Sequence, residues 1–224
     1  MCLRSFILCS ARCHSVWSVI FLCQVFLAGC KDDTPVVLTF YKQGAPQFSE
    51  SVQRVLNSKI ELIQKLVSAP EVVDEIIQSN VKNKEIGDEE IQNLDTRWRH
   101  AIGVDDFIRP YLANRCSQFL ITFQNDHKGF PEIFVTDIKG LNVCQTNKTT
   151  DCFQADEDWW QNAFHDGKGN SYFGDIEYDE SSSSEAISIF VPVYQSSSES
   201  SESPKKLIGV AKAVVDLLEI KREL

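Results

Sequence analysis

Length, composition and charge restrict the kind of protein that this sequence can encode. The chain has 224 residues, of which 43% are hydrophobic and 24% are charged, so it can bury the core of one ordinary globular domain with short accessory segments. Its formal net charge of −10 argues against nucleic-acid binding, which requires basic patches on the surface.

The first thirty residues have the composition of an export signal. Arg4 and Arg12 are the only charged residues there, and they precede an apolar run over 15–29. That run is shorter than the roughly 20 apolar residues that a membrane-spanning helix needs. A basic start, an apolar middle and small residues at the end together predict a signal peptide.

The end of this run resembles the bacterial lipobox, because residues 27–30 read Leu-Ala-Gly-Cys. In that family the signal is cleaved before the cysteine, whose sulfur then carries diacylglycerol. The resemblance implies a signal peptide over 1–29, lipidation of Cys30 and a tether over 30–47, in a cell-envelope protein that faces the periplasm or the exterior. Lys31 slightly favours the outer membrane. The alternatives are an uncleaved anchor and a plain signal peptide.

Three cysteines remain in the body of the chain, namely Cys116, Cys144 and Cys152. In an oxidising compartment an odd trio permits one disulfide and one free thiol. Cys144 and Cys152 are close enough in sequence to pair. No Cys-x-x-Cys or Cys/His spacing predicts a zinc site, and no cofactor is expected.

Helical periodicity dominates the first half of the body. Apolar residues recur every three or four positions after Ser49, a plausible N-cap, until Ala69-Pro70 interrupts the pattern. Trp98 keeps the apolar period of a later helix and is predicted to be core. We expect four helices, over about 50–68, around 72–77, from Gly87 to about 102, and over 107–113 with Asp105 as its cap.

The period changes to that of strands after residue 117. Asp137 is expected to serve the turn at 138–140, between the two strands of a hairpin. Further strands are expected at FLITF (119–123), 171–179, 185–194 and 207–220, the last running into a terminal helix, with Ser-rich loops at 181–184 and 195–206. The pattern is α+β: helices first, then an antiparallel sheet of about five strands with one inserted helix.

The inserted helix follows the stretch QADEDWW. Asp156 is expected to be its N-cap, and Glu157 and Asp158 fall in its first turn, where acids suit the helix dipole. Trp159 and Trp160 point about 100° apart on a helix. We therefore expect one of them to be core and the other to be available for a pocket.

From about 48 to 220 the chain resembles the Cache (PDC) family of extracytoplasmic, PAS-like sensor domains. The resemblance is strongest over 132–164, which carries Asp-x-x-Gly, a strand ending in Thr and then Asp-x-x-Trp with a helix. ISIFVPVY and LIGVAKAVVDL are similar to the following strands. The resemblance implies a single domain over 48–224, with a long N-terminal helix, a PAS-like sheet and a ligand pocket between the sheet and the inserted helix.

The amino-acid-binding branch of that family supplies candidate site residues. Trp159 and Trp160 match its aromatic pair, and Asp179 matches the acid that holds a ligand amine. Its Tyr and Arg positions fall on Cys152 and Glu157, and both are departures from the pattern.

These departures decide which chemical class of ligand is expected. A carboxylate ligand favours a guanidinium partner, and Glu157 would repel it. We expect an amine or neutral ligand rather than an amino acid, with cation–π contacts of about 0.5–2 kcal/mol. Tyr178, beside the matched acid, and Asp151 complete the candidate ligand-binding set.

Enzyme motifs are missing from the sequence: it has no GxSxG, HExxH, P-loop or GxGxxG pattern. We expect no enzyme but a lipid-anchored module that binds a small molecule and, having no output domain of its own, passes a signal through its long helix to a partner protein. The alternative is a structural or protein-interaction lipoprotein that uses the same scaffold without a ligand.

Overall fold

The structure, a computed structural model, describes residues 48–179, 184–195 and 205–224. Its helices and strands follow one another in the order α1 (Glu50–Val67), α2 (Pro70–Lys82), α3 (Asp88–His100), α4 (Arg109–Ala113), α5 (Arg115–Asp126), β1 (Glu132–Asp137), β2 (Asn142–Gln145), α6 (Asp158–Phe164), β3 (Tyr172–Asp179), β4 (Ser184–Gln195), β5 (Lys206–Asp216) and α7 (Leu217–Arg222).

The first helices begin and end where their sequence signals lie. The Ser49 side chain accepts a hydrogen bond from the Val52 backbone N–H at 3.4 Å. Pro70 is the first residue of α2, where a backbone N–H would have no partner within the helix, so the missing N–H of proline costs nothing. Asp105 accepts from the backbone N–H groups of Phe107 and Ile108 at 3.0 and 2.9 Å, just before α4. The four predicted helices are confirmed.

The stretch FLITF is helical, so its prediction as a strand is wrong. It lies within α5, whose N-cap Asn114 accepts from the Ser117 backbone N–H at 2.7 Å. Cys116 and Leu120 lie four residues apart and are both fully buried. Periodicity alone does not distinguish a short apolar run in a strand from one in a buried helix, and here the capped start and the buried face favour the helix.

The disulfide joins Cys116 of α5 to Cys144 of β2. The pairing of Cys144 with Cys152 is therefore wrong, and Cys152 is a buried free thiol. Proximity along the chain was misleading because α5, nearly thirty residues earlier, packs directly against β2. The disulfide attaches this helix to the edge of the sheet.

The strands form one antiparallel sheet in the order β2-β1-β5-β4-β3. The hairpin between β1 and β2 turns on Asp137, whose Oδ1 accepts from the backbone N–H groups of Lys139 and Leu141 at 2.9 and 3.1 Å. Gly140 closes that turn with a φ of +81°, a conformation that favours glycine. The α+β class, the five strands and the inserted helix are confirmed.

The two faces of the sheet bury different partners. One face packs on α1, α2, α5 and α7 through β-branched and aliphatic residues such as Ile133, Ile189 and Val191. The other face carries Phe190 and Val210 against the Trp160 and Ala163 side chains of α6. The sequence of β4 alternates accordingly, with isoleucines and valines on one side and Phe190 on the other.

Several predictions concern residues outside the described ranges. The signal peptide over 1–29, Cys30, the tether over 30–47 and most of both Ser-rich loops lie there. Within 48–179, 184–195 and 205–224, no helix is both long and apolar enough to cross a membrane.

Candidate ligand-binding site

A row of aligned side chains crosses the sheet beneath α6, with one residue from each strand. In the strand register, Phe134 of β1 lies opposite both Gln145 of β2 and Lys212 of β5, while Phe190 of β4 lies opposite Lys212 and Tyr172 of β3. Directly paired residues point to the same face of a sheet. These five residues, called the central row below, therefore share the face that α6 covers.

Helix α6 reaches this face from a turn that differs from the predicted one. The helix begins at Asp158 after the N-cap Glu157, which makes no side-chain capping bond. Asp156 lies one residue earlier, in the turn closed by the hydrogen bond from Glu157 N–H to the Gln154 carbonyl at 3.1 Å. The prediction of Asp156 as N-cap is wrong because this turn delays the helix start. Glu157 is exposed.

Trp160 is the tryptophan that belongs to the core. Its side chain is buried, its indole Nε1–H donates to Thr136 Oγ1 at 2.8 Å, and its ring stacks on Phe164 at 4.7 Å. A buried indole with its donor satisfied holds α6 on the sheet. This places Trp160 beside the central row, as packing rather than as an open surface.

Trp159 lies over the central row itself. Its ring is stacked with Phe190 at 5.2 Å and meets Phe134 edge-on at 5.8 Å. The Tyr172 hydroxyl donates to the Trp159 backbone carbonyl at 2.9 Å. Trp159 remains partly exposed, so it is the tryptophan that a ligand could contact.

Lys212 places a positive charge at the middle of this aromatic surface. Its ammonium nitrogen lies 5.4 Å from the ring centroid of Trp159, 5.9 Å from that of Phe134 and 6.0 Å from that of Phe190. Lys212 is only partly exposed, and none of the carboxylates in the described ranges forms an ion pair with it. A half-buried ammonium held only by ring faces has the chemistry to pair with an anionic group.

Gln145 ends the central row with unsatisfied hydrogen-bonding groups. Its side chain is fully buried, and neither Nε2 nor Oε1 has a hydrogen-bond partner among the described residues. Burying an amide without partners costs several kcal/mol at most and about 1–3 kcal/mol in proteins. The amide of Gln145 is therefore a buried donor and acceptor without partners among the described residues, at the end of the central row.

The other predicted site residues are not brought to the central row. Tyr178 lies six residues along β3 from Tyr172, about 20 Å at 3.3 Å per residue, and is 66% exposed. The Asp179 backbone pairs with Ser184 at the same end of the strand. Its side chain lies outside the described set, so its role as a ligand acid stays a prediction.

Asp151 belongs to a braced segment after β2. It accepts from Gln154 Nε2 at 2.6 Å and lies 3.5 Å from the Arg99 guanidinium, and burial raises the pKa of its carboxyl group. Nearby, the buried Asp95 accepts from the backbone N–H groups of Cys152 and Phe153 at 2.9 and 3.1 Å. These contacts give Asp151 structural partners and fix the segment on α3.

Cys152 occupies the position at which the resemblance places a tyrosine. Burial, with the nearby Asp95 carboxylate, raises the pKa of its thiol to about 12. The thiol therefore stays protonated at physiological pH and is a poor nucleophile. No three His, Cys, Asp or Glu residues within the described part of the chain form a group that could hold a metal ion.

Sequence reasoning missed the five members of the central row: Phe134, Gln145, Tyr172, Phe190 and Lys212. Lys212 carried the clearest signal, because it is the single charge in the apolar run LIGVAKAVV. A charge in the centre of a buried strand requires a reason. The alignment of these residues depends on strand register, which the sequence does not contain.

Comparisons with known proteins give matches to solved structures alone. No protein-family model matches the chain, and no curated protein sequence matches it. Among solved structures it is similar to the ligand-binding domain of the Campylobacter jejuni chemoreceptor Tlp3 in complex with 4-methylisoleucine, at 13% identity and a TM-score of 0.37, covering 78% of this chain and 64% of that one.

Two further structures match over a comparable part of the chain. The sensor domain of the V. cholerae histidine kinase DctB has 15% identity and a TM-score of 0.34, covering 78% of this chain and 57% of that one. The extracellular domain of vpHK1S-Z8 has 12% identity and a TM-score of 0.42, covering 76% and 56%. This chain spans less than two thirds of the length of each of these structures.

Proposed function

We propose that this chain is a Cache-type sensor module that binds a small molecule at the central row, beneath Trp159. The observation that carries the proposal is Lys212, a half-buried ammonium with three ring faces around it and no carboxylate partner among the described residues. Packing alone does not require a charge there. An unpaired charge of this kind is more simply explained by a ligand that pairs with it.

The ligand of this site carries an anionic group, most simply a carboxylate. The expectation of an amine rested on Glu157, but Glu157 is exposed at the N-cap of α6, and Lys212 occupies the ring faces that an amine would use. A second cation there would be repelled. The unused amide of Gln145 provides one donor and one acceptor for the polar part of the ligand.

The composition of the central row supports binding without chemistry. It consists of an ammonium, an amide and aromatic rings, and burial raises the pKa of the Tyr172 hydroxyl to about 12. These groups recognise charge and shape, but they do not form a nucleophile–base pair of the kind that acyl or phosphoryl transfer uses. We therefore assign the site to recognition.

Thermal unfolding of the full-length chain with matched panels of small carboxylates and small amines tests this proposal. We expect carboxylates to raise the melting temperature of the wild type, because a ligand that binds only the folded state stabilises it. They should have no effect on Lys212→Met. Lys206→Met is the matched control, because Lys206 lies exposed at the start of the same strand. Stabilisation by amines alone would refute the assignment to Lys212.

A structural or protein-interaction role without a ligand is the second candidate. The close stacking of Trp159 on Phe190, at 5.2 Å and 18° between ring planes, favours it because the two rings already cover each other. In that case neither the carboxylates nor the amines should change the melting temperature of the wild type or of Lys212→Met.

We further propose that the module is lipid-anchored through Cys30 in the cell envelope and passes its signal to a partner protein through α1. The Leu-Ala-Gly-Cys sequence at 27–30 supports the anchor. Helix α1 has 18 residues, about 27 Å, and packs its buried side on the sheet, so a shift of the sheet would move it. Metabolic labelling with an alkyne fatty acid should mark the wild type and not Cys30→Ser. Labelling of both would refute the anchor.

A further inference from the structure

One buried hydroxyl group lies behind the candidate ligand site. It belongs to Thr136 of β1, whose side chain is fully buried. Thr136 Oγ1 accepts a hydrogen bond from the indole Nε1–H of Trp160 at 2.8 Å and donates one to the Val210 carbonyl at 3.1 Å. Because Trp160 lies in α6 and Val210 in β5, this single hydroxyl joins three elements of the fold by two hydrogen bonds.

Each of these three elements carries a residue of the site close to the hydroxyl. Phe134 lies two residues before Thr136 in β1 and therefore on the same face of the sheet. Lys212 follows the acceptor carbonyl by two residues in β5, and Trp159 precedes the donor indole by one residue in α6. The two hydrogen bonds therefore fix the backbone next to the ammonium and next to both of these aromatic rings.

Helix α6 depends on such contacts because its own sequence stabilises it weakly. It has seven residues, and its N-cap Glu157 makes no side-chain capping bond, whereas isolated helices shorter than about 12–15 residues are at best marginally stable in water. Two non-glycine residues with left-handed backbone follow it, His165 and Asp166, with φ angles of 47° and 53°. The position of α6 is therefore set by its contacts with the sheet.

The hydrogen bond between Thr136 and Trp160 is the directional contact on the buried side of α6. The apolar contacts of this helix with the sheet have no preferred direction, whereas a hydrogen bond requires a short distance and good alignment. The Tyr172 hydroxyl donates to the Trp159 carbonyl at 2.9 Å and holds the backbone of the same helix from β3. The rotation of α6, and with it the direction of the Trp159 ring, therefore depends on the Thr136 hydroxyl.

We propose that Thr136 is a positioning residue of the ligand site: its hydroxyl determines where Trp159 lies over the central row, and through this the affinity for the anionic ligand. Thr136 itself does not touch the ligand, because its side chain is fully buried. Its one hydroxyl hydrogen is donated to a backbone carbonyl, so it has no donor left for an anion. This inference rests on the proposed function, since it concerns the same site.

Thr136→Val tests this inference, because valine is close to threonine in size but leaves the Trp160 N–H without its acceptor. Thr136→Ser keeps the hydroxyl and should behave as the wild type does. Thr149→Val is the matched control. The buried Thr149 hydroxyl also accepts one N–H, from Asn142 Nδ2 at 2.7 Å, and donates to one carbonyl, that of Asp151 at 2.6 Å. Neither of these partners belongs to α6 or to the central row.

Two measurements on the full-length variants separate positioning from stability, since both valine variants should lower the melting temperature. By hydrogen exchange and mass spectrometry, the amides of 158–164 should exchange about 5- to 10-fold faster in Thr136→Val, as for the loss of one buried hydrogen bond, and at the wild-type rate in Thr149→Val. By calorimetry, the tightest-binding carboxylate of the thermal panel, with phenylacetate included, should bind Thr136→Val about 5- to 10-fold more weakly and Thr149→Val as tightly as the wild type.

Trp160→Phe removes the same hydrogen bond from the donor side and should reproduce both changes. The inference is overturned if the amides of α6 exchange at the wild-type rate in Thr136→Val, or if they exchange faster with no loss of carboxylate affinity, since either result would leave Thr136 a structural residue alone. A wild type that binds none of the carboxylates refutes the proposed function, and with it the role of Thr136 in affinity. The exchange measurement then decides by itself whether the hydroxyl fixes α6.

Discussion

Replacing Lys212 by methionine separates the stability of the sheet from its capacity to bind a ligand. In the wild type the ammonium gains cation–π attraction from three rings at 5.4–6.0 Å. At such distances and partial exposure these contacts together contribute about 1–2 kcal/mol. They are offset by the cost of removing an ammonium from part of its water.

Methionine keeps most of the apolar stem that Lys212 packs against the rings, and it removes the charge. We therefore expect the free energy of unfolding to change by less than about 1 kcal/mol, as measured by urea denaturation followed by tryptophan fluorescence. The loss for a carboxylate ligand should be larger. A charge-assisted hydrogen bond contributes about 1.5–3 kcal/mol, so affinity should fall about 10- to 100-fold by calorimetry.

Lys212→Arg is the informative companion to this substitution, since it keeps the positive charge and should keep most of the affinity. The reasoning fails if Lys212→Met lowers the free energy of unfolding by more than about 3 kcal/mol, a loss typical of a broken buried network. That result would make Lys212 a structural residue. An unchanged carboxylate affinity in Lys212→Met would refute the binding role directly.

Three further predictions concern the frame that holds the site. Converting both Cys116 and Cys144 to serine should lower the free energy of unfolding by about 3–4 kcal/mol, because the disulfide closes a loop of 28 residues; urea denaturation would measure it, and a loss below about 1 kcal/mol would contradict it. Cys152, with its pKa raised to about 12, should resist iodoacetamide at pH 8 until the protein is unfolded. The thiol of Cys152 has a pKa near 9 in the unfolded chain. Its burial should therefore contribute to the free energy of unfolding below pH 9, and this contribution should be lost as the pH rises towards 12. Rapid alkylation of Cys152 in the native protein would contradict the raised pKa. Gly140→Ala should destabilise the fold by at least about 2 kcal/mol, since a Cβ there lies 2.6 Å from the Ala155 backbone nitrogen at a positive φ, whereas Gly87→Ala, with open space around it, should differ little from the wild type in thermal unfolding.

Much of the architecture could be predicted because its signals are local. Ser49 and Pro70 mark the boundaries of α1 and α2, and Asp137 marks the β1–β2 turn. Alternation in β4 predicts its two faces, since the period of two in a strand fixes which residues point together. The resemblance to Cache domains then predicts the order of the elements, which the described part of the chain shows.

The errors arose where a tertiary contact decides the outcome. FLITF is a short apolar run that suits either a strand or a buried helix, and its position against β2 makes it α5. The same contact brings Cys116 rather than Cys152 to Cys144. Asp156 failed as a cap because the turn from Gln154 to Glu157 comes between it and the helix.

The candidate site could be predicted only in part. The two tryptophans were expected to divide into one core residue and one available for a pocket, and in the structure Trp160 is buried and Trp159 is partly exposed. The role of Lys212 depends on the register of β5 against β1 and β4, which places Lys212 between Phe134 and Phe190. Register is set by pairing over the whole sheet, so the centre of the site cannot be seen in any single segment.

Native mass spectrometry of the full-length chain mixed with the best carboxylate of the thermal panel tests the central claim most directly. We predict one bound carboxylate per chain in the wild type and in Lys206→Met, and none in Lys212→Met at the same concentration. Equal occupancy in the wild type and Lys212→Met, or no occupancy in the wild type, would contradict the assignment of the central row as the ligand site.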